Sequence, residues 1–179
     1  MKETSKAHSR RRGQWAFVHR YFVGYGLEIG GSDDPLNPAD WPMMKGICDY
    51  TQPDGSPAAL PFADEQFDFV YASNVLEHMS DTIEALAEWL RVLRSGGHLI
   101  FSVPDFELYE QGIWPSRWNA GHRQRFDVIS VWNLLMQFNV RIKKIELVDT
   151  RYEYGLRGID QTLDEHGAEA FVEAVAQKK

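Results

Sequence analysis

Only one cysteine, Cys48, occurs in the 179 residues, which excludes an internal disulfide and a cysteine metal cluster. No run approaches the roughly 18 apolar residues that a membrane-spanning helix needs. Arg10, Arg11 and Arg12 make the N-terminal segment basic, yet no apolar stretch follows that could form a signal-peptide core. A cytoplasmic protein without a membrane span is therefore expected. An excess of positive charge is missing as well. The net charge is −7, which argues against the broad basic footprint of a general nucleic-acid binder. Internal repeats, low-complexity blocks and linkers are also lacking, so one domain over residues 1–179 is expected. With 44% apolar and 25% charged residues, that domain can bury a single sizeable core.

What is present alternates between strand-like and helix-like patterns. Residues 1–25 form an N-terminal helical segment, with Trp15, Phe17, Val18, Tyr21 and Phe22 at roughly helical spacing. A short strand, Gly26 to Ile29, runs into Gly30-Gly31, and Lys45 to Cys48 forms a second strand ending at Asp49. Phe67 to Ala72 is apolar, β-branched and aromatic, as a buried strand should be. Asp81 and Glu84 stand at capping-box spacing ahead of Ile83, Leu86, Leu90 and Leu93, and Gly96-Gly97 is expected to stop that helix. His98 to Val103 is another buried strand, ended by Pro104. Residues 105–127 are a connection too long for a turn, which in a compact domain points to function. A helix over Val128 to Phe138 and a strand over Ile142 to Val148 follow. Gly167 to Lys179 has the alanines and glutamates of a helix, but the strand–helix alternation favours a final strand.

This order predicts an α/β fold with a mostly parallel sheet and helices on both faces. Such sheets bind ligands at the carboxyl ends of their strands. Gly30, Asp49, Ser73 and Pro104 would then share one edge. Glycines after the first strand allow close backbone approach. Asp49, nineteen residues after Gly30, stands at a separation suited to binding ribose hydroxyls, or else is a surface acid in a turn.

The succession Leu60-Pro61-Phe62, Phe67-Asp68, the strand to Ala72, Val75-Leu76-Glu77-His78, the capped helix and Leu93-Arg94-Ser95-Gly96-Gly97 closely resembles class I S-adenosylmethionine-dependent methyltransferases of the type 11 kind. The resemblance runs from about Gly26 to Asp105 and implies a Rossmann-like methyltransferase fold with S-adenosyl-L-methionine as cofactor. By that resemblance Glu28, Gly30, Gly31 and Ser32 cradle the methionine end, and Asp49 binds the ribose. Ala59 and Leu60 pack the adenine edge, while Ser73 and Asn74 border the sulfonium. The chain departs from the pattern where Ser32 and Asp34 replace small glycines and where Ser56 replaces an adenine-binding aspartate, for which Asp54 could substitute. The stretch from Asp49 to Leu60 is too short for the usual helix and strand, so the sheet is expected to be trimmed after its second strand. With that trimming, Asp49 could instead align with the family's later aspartate.

Methyl transfer from a sulfonium needs alignment rather than a metal, and a hydroxyl acceptor gains from a general base. His78 and His122 are the candidates, because imidazole exchanges a proton near neutral pH. Each could instead hold its loop by hydrogen bonding. No metal is expected, since no ligand pair stands at helical spacing. Trp114 and Trp118, beside Arg117, Arg123 and Arg125, would suit a sugar ring or an anionic group on the acceptor, or would anchor the connection. Compact members of this kind resemble methyltransferases of surface-polysaccharide synthesis, which implies O-methylation of a sugar or glycan-linked hydroxyl. The other readings are a small-metabolite O- or N-methyltransferase and a non-catalytic cofactor-binding module. Oligomeric state is not legible in the residues.

Overall fold

The computed structural model describes residues 14–31, 35–51, 59–150 and 170–179. A short helix, Trp15–Tyr21 (α1), precedes strand Gly24–Ile29 (β1). Strands Met44–Tyr50 (β2) and Phe67–Ser73 (β3) follow, then helix Thr82–Val92 (α2) and the long strand Leu93–Pro104 (β4). Helix Val128–Leu135 (α3) leads to strands Val140–Asp149 (β5) and Ala170–Lys178 (β6). The six strands form one sheet in the order β2-β1-β3-β4-β6-β5. Its first four strands are parallel, and β6 runs antiparallel between β4 and β5.

The central strands are apolar on both sides because both faces are covered. On one face Leu27, Val70, Leu99 and Phe101 meet Leu86, Trp89 and Leu90 of α2 and Val131 and Leu135 of α3. On the other, Phe69, Tyr71, Ile100 and Val175 meet Phe17, Phe22 and Trp41. Phe22 stacks on Trp41 at 4.7 Å and meets Phe69 and Tyr71 edge-on, each at 5.5 Å. The switch of faces from residue to residue is the period-2 geometry of a strand.

Several boundaries differ from those read in the residues. The helix after Asp81 ends at Val92, and the chain enters β4 before reaching Gly96-Gly97. The glycine pair is instead a bend within the strand: Gly96 has φ +79°, and a β-carbon on Gly97 would lie 2.7 Å from the Asp68 carbonyl oxygen. Asp49 lies inside β2 rather than after it. Helix α3 stops at Leu135, three residues early. The C-terminal segment is a strand despite its alanines. Buried between two partners, β6 leaves little room above Ala170, Ala174 and Ala176, and small side chains fit there. Its one buried acid, Glu173, faces Lys144 Nζ at 3.2 Å. No strand lies beyond β2 among the described residues, as the short Asp49 to Leu60 stretch requires.

Parallel pairing brings the carboxyl ends of β1, β2, β3 and β4 to one edge. Ile29 is level with Tyr50 on one side and Ala72 on the other, and Ser73 is level with Ser102.

Candidate functional site

The loop after β1 begins this edge. Gly30 has φ +79°, and its N–H donates to the Tyr50 carbonyl at 2.9 Å. A β-carbon there would lie 2.6 Å from Val75 Cγ2, so glycine is required both by conformation and by space. Glu28 is 1% exposed, and its Oε2 accepts from the Leu36 N–H at 2.6 Å. That bond fixes the returning chain over the loop. Glu28 is the register partner of Asp49 on β2. Gly31 lies between their carboxylates, where a β-carbon would come within 2.8 Å of Asp49 Oδ1 and of Glu28 Cδ. The result is a backbone notch walled by two acids, one buried and one exposed. Ser32, Asp33, Asp34, Asp54 and Ser56 lie outside the described residues.

The next wall is the end of β3. Ser73 Oγ and Ser102 Oγ share a hydrogen bond of 3.0 Å. Asn74 takes φ 54°, a left-handed conformation that asparagine tolerates better than most residues, and its N–H donates to the Ser102 carbonyl at 3.0 Å. Its Oδ1 is buried with no hydrogen-bond partner among the described residues. Leu60 is buried, with its N–H on Glu88 Oε2, whereas Ala59 is exposed. Arg91 of α2 binds the carbonyls of Leu60 and Phe62 and the carboxylates of Glu88 and Asp64, tying the Leu60-Pro61-Phe62 turn to the helix. Those two carboxylates raise the Arg91 pKa further, and its guanidinium in turn holds Glu88 below the usual carboxylate range.

The turn Leu76–His78 and the 105–127 connection close the edge. Phe106 and Phe126 meet at the base of the connection, with the Phe106 N–H on the Phe126 carbonyl at 2.7 Å. The N–H groups of Arg123 and Gln124 donate to the Glu77 carbonyl at 2.7 and 3.0 Å. These bonds bring His78 and His122 together, with ring centroids 4.9 Å apart. His78 Nδ1 donates to the Gly121 carbonyl at 2.9 Å. His122 Nδ1 lies 2.5 Å from Glu110 Oε1, with both side chains buried. The Nε2 atoms of both histidines lie 3.9 Å from Glu77 Oε1. Burial holds the His78 imidazole below its ordinary pKa; His122 and Arg123 push the same way, against the bond to Gly121. His78 is therefore a neutral proton acceptor at neutral pH, the state a general base needs.

Glu77 and Glu110 are the site residues that the motif reading did not assign. Glu77 is adjacent to His78 in the quoted motif, and that adjacency was its available signal. Glu110 lies in an irregular connection and carries none. Trp114 and Trp118 are half-buried, and Arg117 and Arg123 are exposed. Arg125 is spent on Phe106, with its guanidinium carbon 5.3 Å from that ring centroid.

A family model described as a methyltransferase domain matches residues 39–101. The chain is 47% identical over 55 residues to a demethylmenaquinone methyltransferase of Renibacterium salmoninarum, a stretch covering 29% of this chain and 23% of that protein. Aligned stretches span only 14–25% of the curated relatives' own lengths. In fold, the chain is similar to an S-adenosylmethionine-dependent methyltransferase of Thermotoga maritima over 100% of both chains, with TM-score 0.61 and 21% identity. A counterpart from Mesorhizobium loti matches with TM-score 0.65 and 15% identity over 94% of this chain and 97% of that one. A methyltransferase-domain model thus matches part of the chain, and the fold is similar to that of S-adenosylmethionine-dependent methyltransferases.

Proposed function

We propose that the protein is an S-adenosylmethionine-dependent methyltransferase, acting as one catalytic domain on a hydroxyl of a sugar or glycan-linked acceptor. The observation that carries the cofactor reading is the notch at Gly31 between Glu28 and Asp49. A space that a single methyl group would fill, walled by two carboxylates at the carboxyl edge of a parallel sheet, suits a cationic ligand with ribose hydroxyls. The buried Asn74 Oδ1 supplies a further acceptor beside it.

When bound, S-adenosylmethionine supplies an electrophilic methyl group on a sulfonium. Glu28 and the Gly30-Gly31 backbone would hold its methionine end, Asp49 its ribose hydroxyls and Leu60 its adenine edge. Ser73 and Asn74 would border the sulfur. Holding the acceptor in line would contribute several of the roughly 7–11 kcal/mol available from positioning. The His78–His122 pair, fixed by Gly121 and Glu110, stands next along the edge to receive the acceptor's hydroxyl. Trp114, Trp118, Arg117 and Arg123 lie on the same connection and offer aromatic faces and cations to a glycosyl phosphate. A small-metabolite hydroxyl would use the same histidines without these outer contacts.

Calorimetry with S-adenosylhomocysteine tests the cofactor reading, and binding at micromolar affinity is expected. Incubation with labelled cofactor and a panel of nucleotide sugars, glycans, quinols and amines tests the acceptor. Label in sugar hydroxyls is expected; label confined to other acceptors would overturn the sugar reading.

A further inference from the structure

We propose that Glu77, His78 and His122 form a binding site for a divalent transition-metal ion, of which zinc is the representative, at the acceptor end of the edge. One ligand atom from each residue lies within 4.8 Å of the other two. The protonation geometry makes this more than proximity. The Gly121 carbonyl can only accept, so His78 Nδ1 donates to it, and His122 Nδ1 is held by the Glu110 carboxylate. With both Nδ1 atoms engaged, each ring turns its Nε2 toward Glu77, 3.9 Å from the same carboxylate oxygen, and Nε2 is the atom left to face an ion.

The surroundings match what metal-binding histidines require. Such histidines almost always donate their second ring nitrogen to a carboxylate or a backbone carbonyl, and here one does each. Ligand atoms about 2.1 Å from a tetrahedral zinc are about 3.4 Å from one another. The separations of 3.9 Å to Glu77 therefore need adjustments of about half an ångström, and the widest separation, within 4.8 Å, one of up to about 1.4 Å. Two imidazoles and one carboxylate favour zinc, iron, cobalt or nickel over magnesium, which prefers an all-oxygen shell. The donors are also held before any ion arrives, because Arg123 and Gln124 bind the Glu77 carbonyl and Gly121 binds His78.

Three protein ligands leave one position open. Given the O-methylation reading above, that position takes the acceptor's oxygen. An ion held there would lower the pKa of the acceptor's hydroxyl, whose proton would pass to solvent water; the oxygen would keep that electron pair and form the new O–C bond as the sulfonium's C–S bond breaks. This assigns Glu110 as a positioning residue for His122, and the histidine pair would act on the acceptor's hydroxyl through the ion it holds.

The test is zinc and cobalt titration of the tag-free full chain against a chromophoric chelator. Wild type should bind one ion at sub-micromolar affinity, with the visible absorption of a low-symmetry cobalt site. Glu77→Gln, His78→Ala and His122→Ala should each weaken binding at least 100-fold, and Glu110→Gln by roughly 10–100-fold. His78 is half-exposed, so His78→Ala keeps the measurement informative should the buried variants fail to fold. Absence of stoichiometric binding, or undiminished zinc affinity in His78→Ala, overturns the site. Calorimetry with S-adenosylhomocysteine on the same sample separates this result from the cofactor reading, which stands or falls on its own.

Discussion

Gly31 and Asp49 meet so closely that a β-carbon on the glycine would lie 2.8 Å from the aspartate Oδ1. Glu28 closes the other side and cannot swing away, since its Oε2 holds the Leu36 N–H. Gly31→Ala should therefore fill the notch from within. S-adenosylhomocysteine affinity is expected to fall at least tenfold by calorimetry, while the melting temperature moves by a few degrees. Unchanged affinity would place the cofactor elsewhere.

Asp49 is exposed, and in the proposed function it binds the cofactor's ribose hydroxyls. Asp49→Asn keeps the shape of the side chain and removes its charge. Weaker S-adenosylhomocysteine binding by about 1.5–3 kcal/mol, the range for hydrogen bonds to charged groups, is expected with an unaltered denaturation midpoint. A variant that binds the nucleoside normally would transfer the ribose role to an acid of the adjoining loop.

Lys144 and Glu173 form a pair in which the carboxylate is fully buried and the ammonium is partly exposed. Removing the cation alone takes a counter-charge away from a fully buried carboxylate. Lys144→Met should lower stability by about 2–4 kcal/mol, somewhat under the usual cost of breaking a buried pair because of that partial exposure. Lys144→Met combined with Glu173→Leu should recover most of the loss. Urea denaturation of the three proteins measures both effects, and equal destabilisation by the single and double variants would refute the pairing.

Asp127 caps α3, accepting from the Ser130 N–H at 2.6 Å, while the Ser130 hydroxyl returns to the Asp127 backbone. The bond to the Ser130 backbone N–H is the main cause holding the carboxyl below its ordinary range. A depressed folded-state pKa means that the stabilisation is complete above the unfolded value, near 3.9, and disappears as pH falls through the folded value. Asp127→Ala should thus cost about 1 kcal/mol at pH 7. The gap from wild type should narrow below about pH 4, as followed by denaturation midpoints at descending pH.

Much of the fold could be read in the chain because local physics dictated it. The run Phe67 to Ala72 is apolar on both faces except at Asp68, and only a strand covered twice uses such a run. Asp81 before the Ile83, Leu86, Leu90 and Leu93 stripe marked a helix start, and the structure puts the Asp81 carboxylate on the N–H groups of Ile83 and Glu84. The glycine bend at Gly96-Gly97 misled, since a glycine pair ends helices more often than it kinks strands. The short stretch after Asp49 foretold a trimmed sheet, in which no strand lies beyond β2 among the described residues, because too few residues separate Asp49 from Leu60 for the usual helix and strand.

The residues by themselves settled the order of strands and helices, the glycines of the first loop and the identity of the motif-bearing side chains, since each depends on neighbours a few positions away. At Ala170–Lys178 the residues set helical alanines against a strand–helix alternation that favoured strand, and burial between β4 and β5 outweighs the helical preference. Tertiary structure alone brought Glu77, His78, Glu110 and His122 into one cluster. Those four side chains come from two segments whose approach depends on backbone bonds from Arg123 and Gln124 to Glu77. Contacts made across such a distance in sequence leave no periodicity to read, and geometry is what turns two separate histidines into a site.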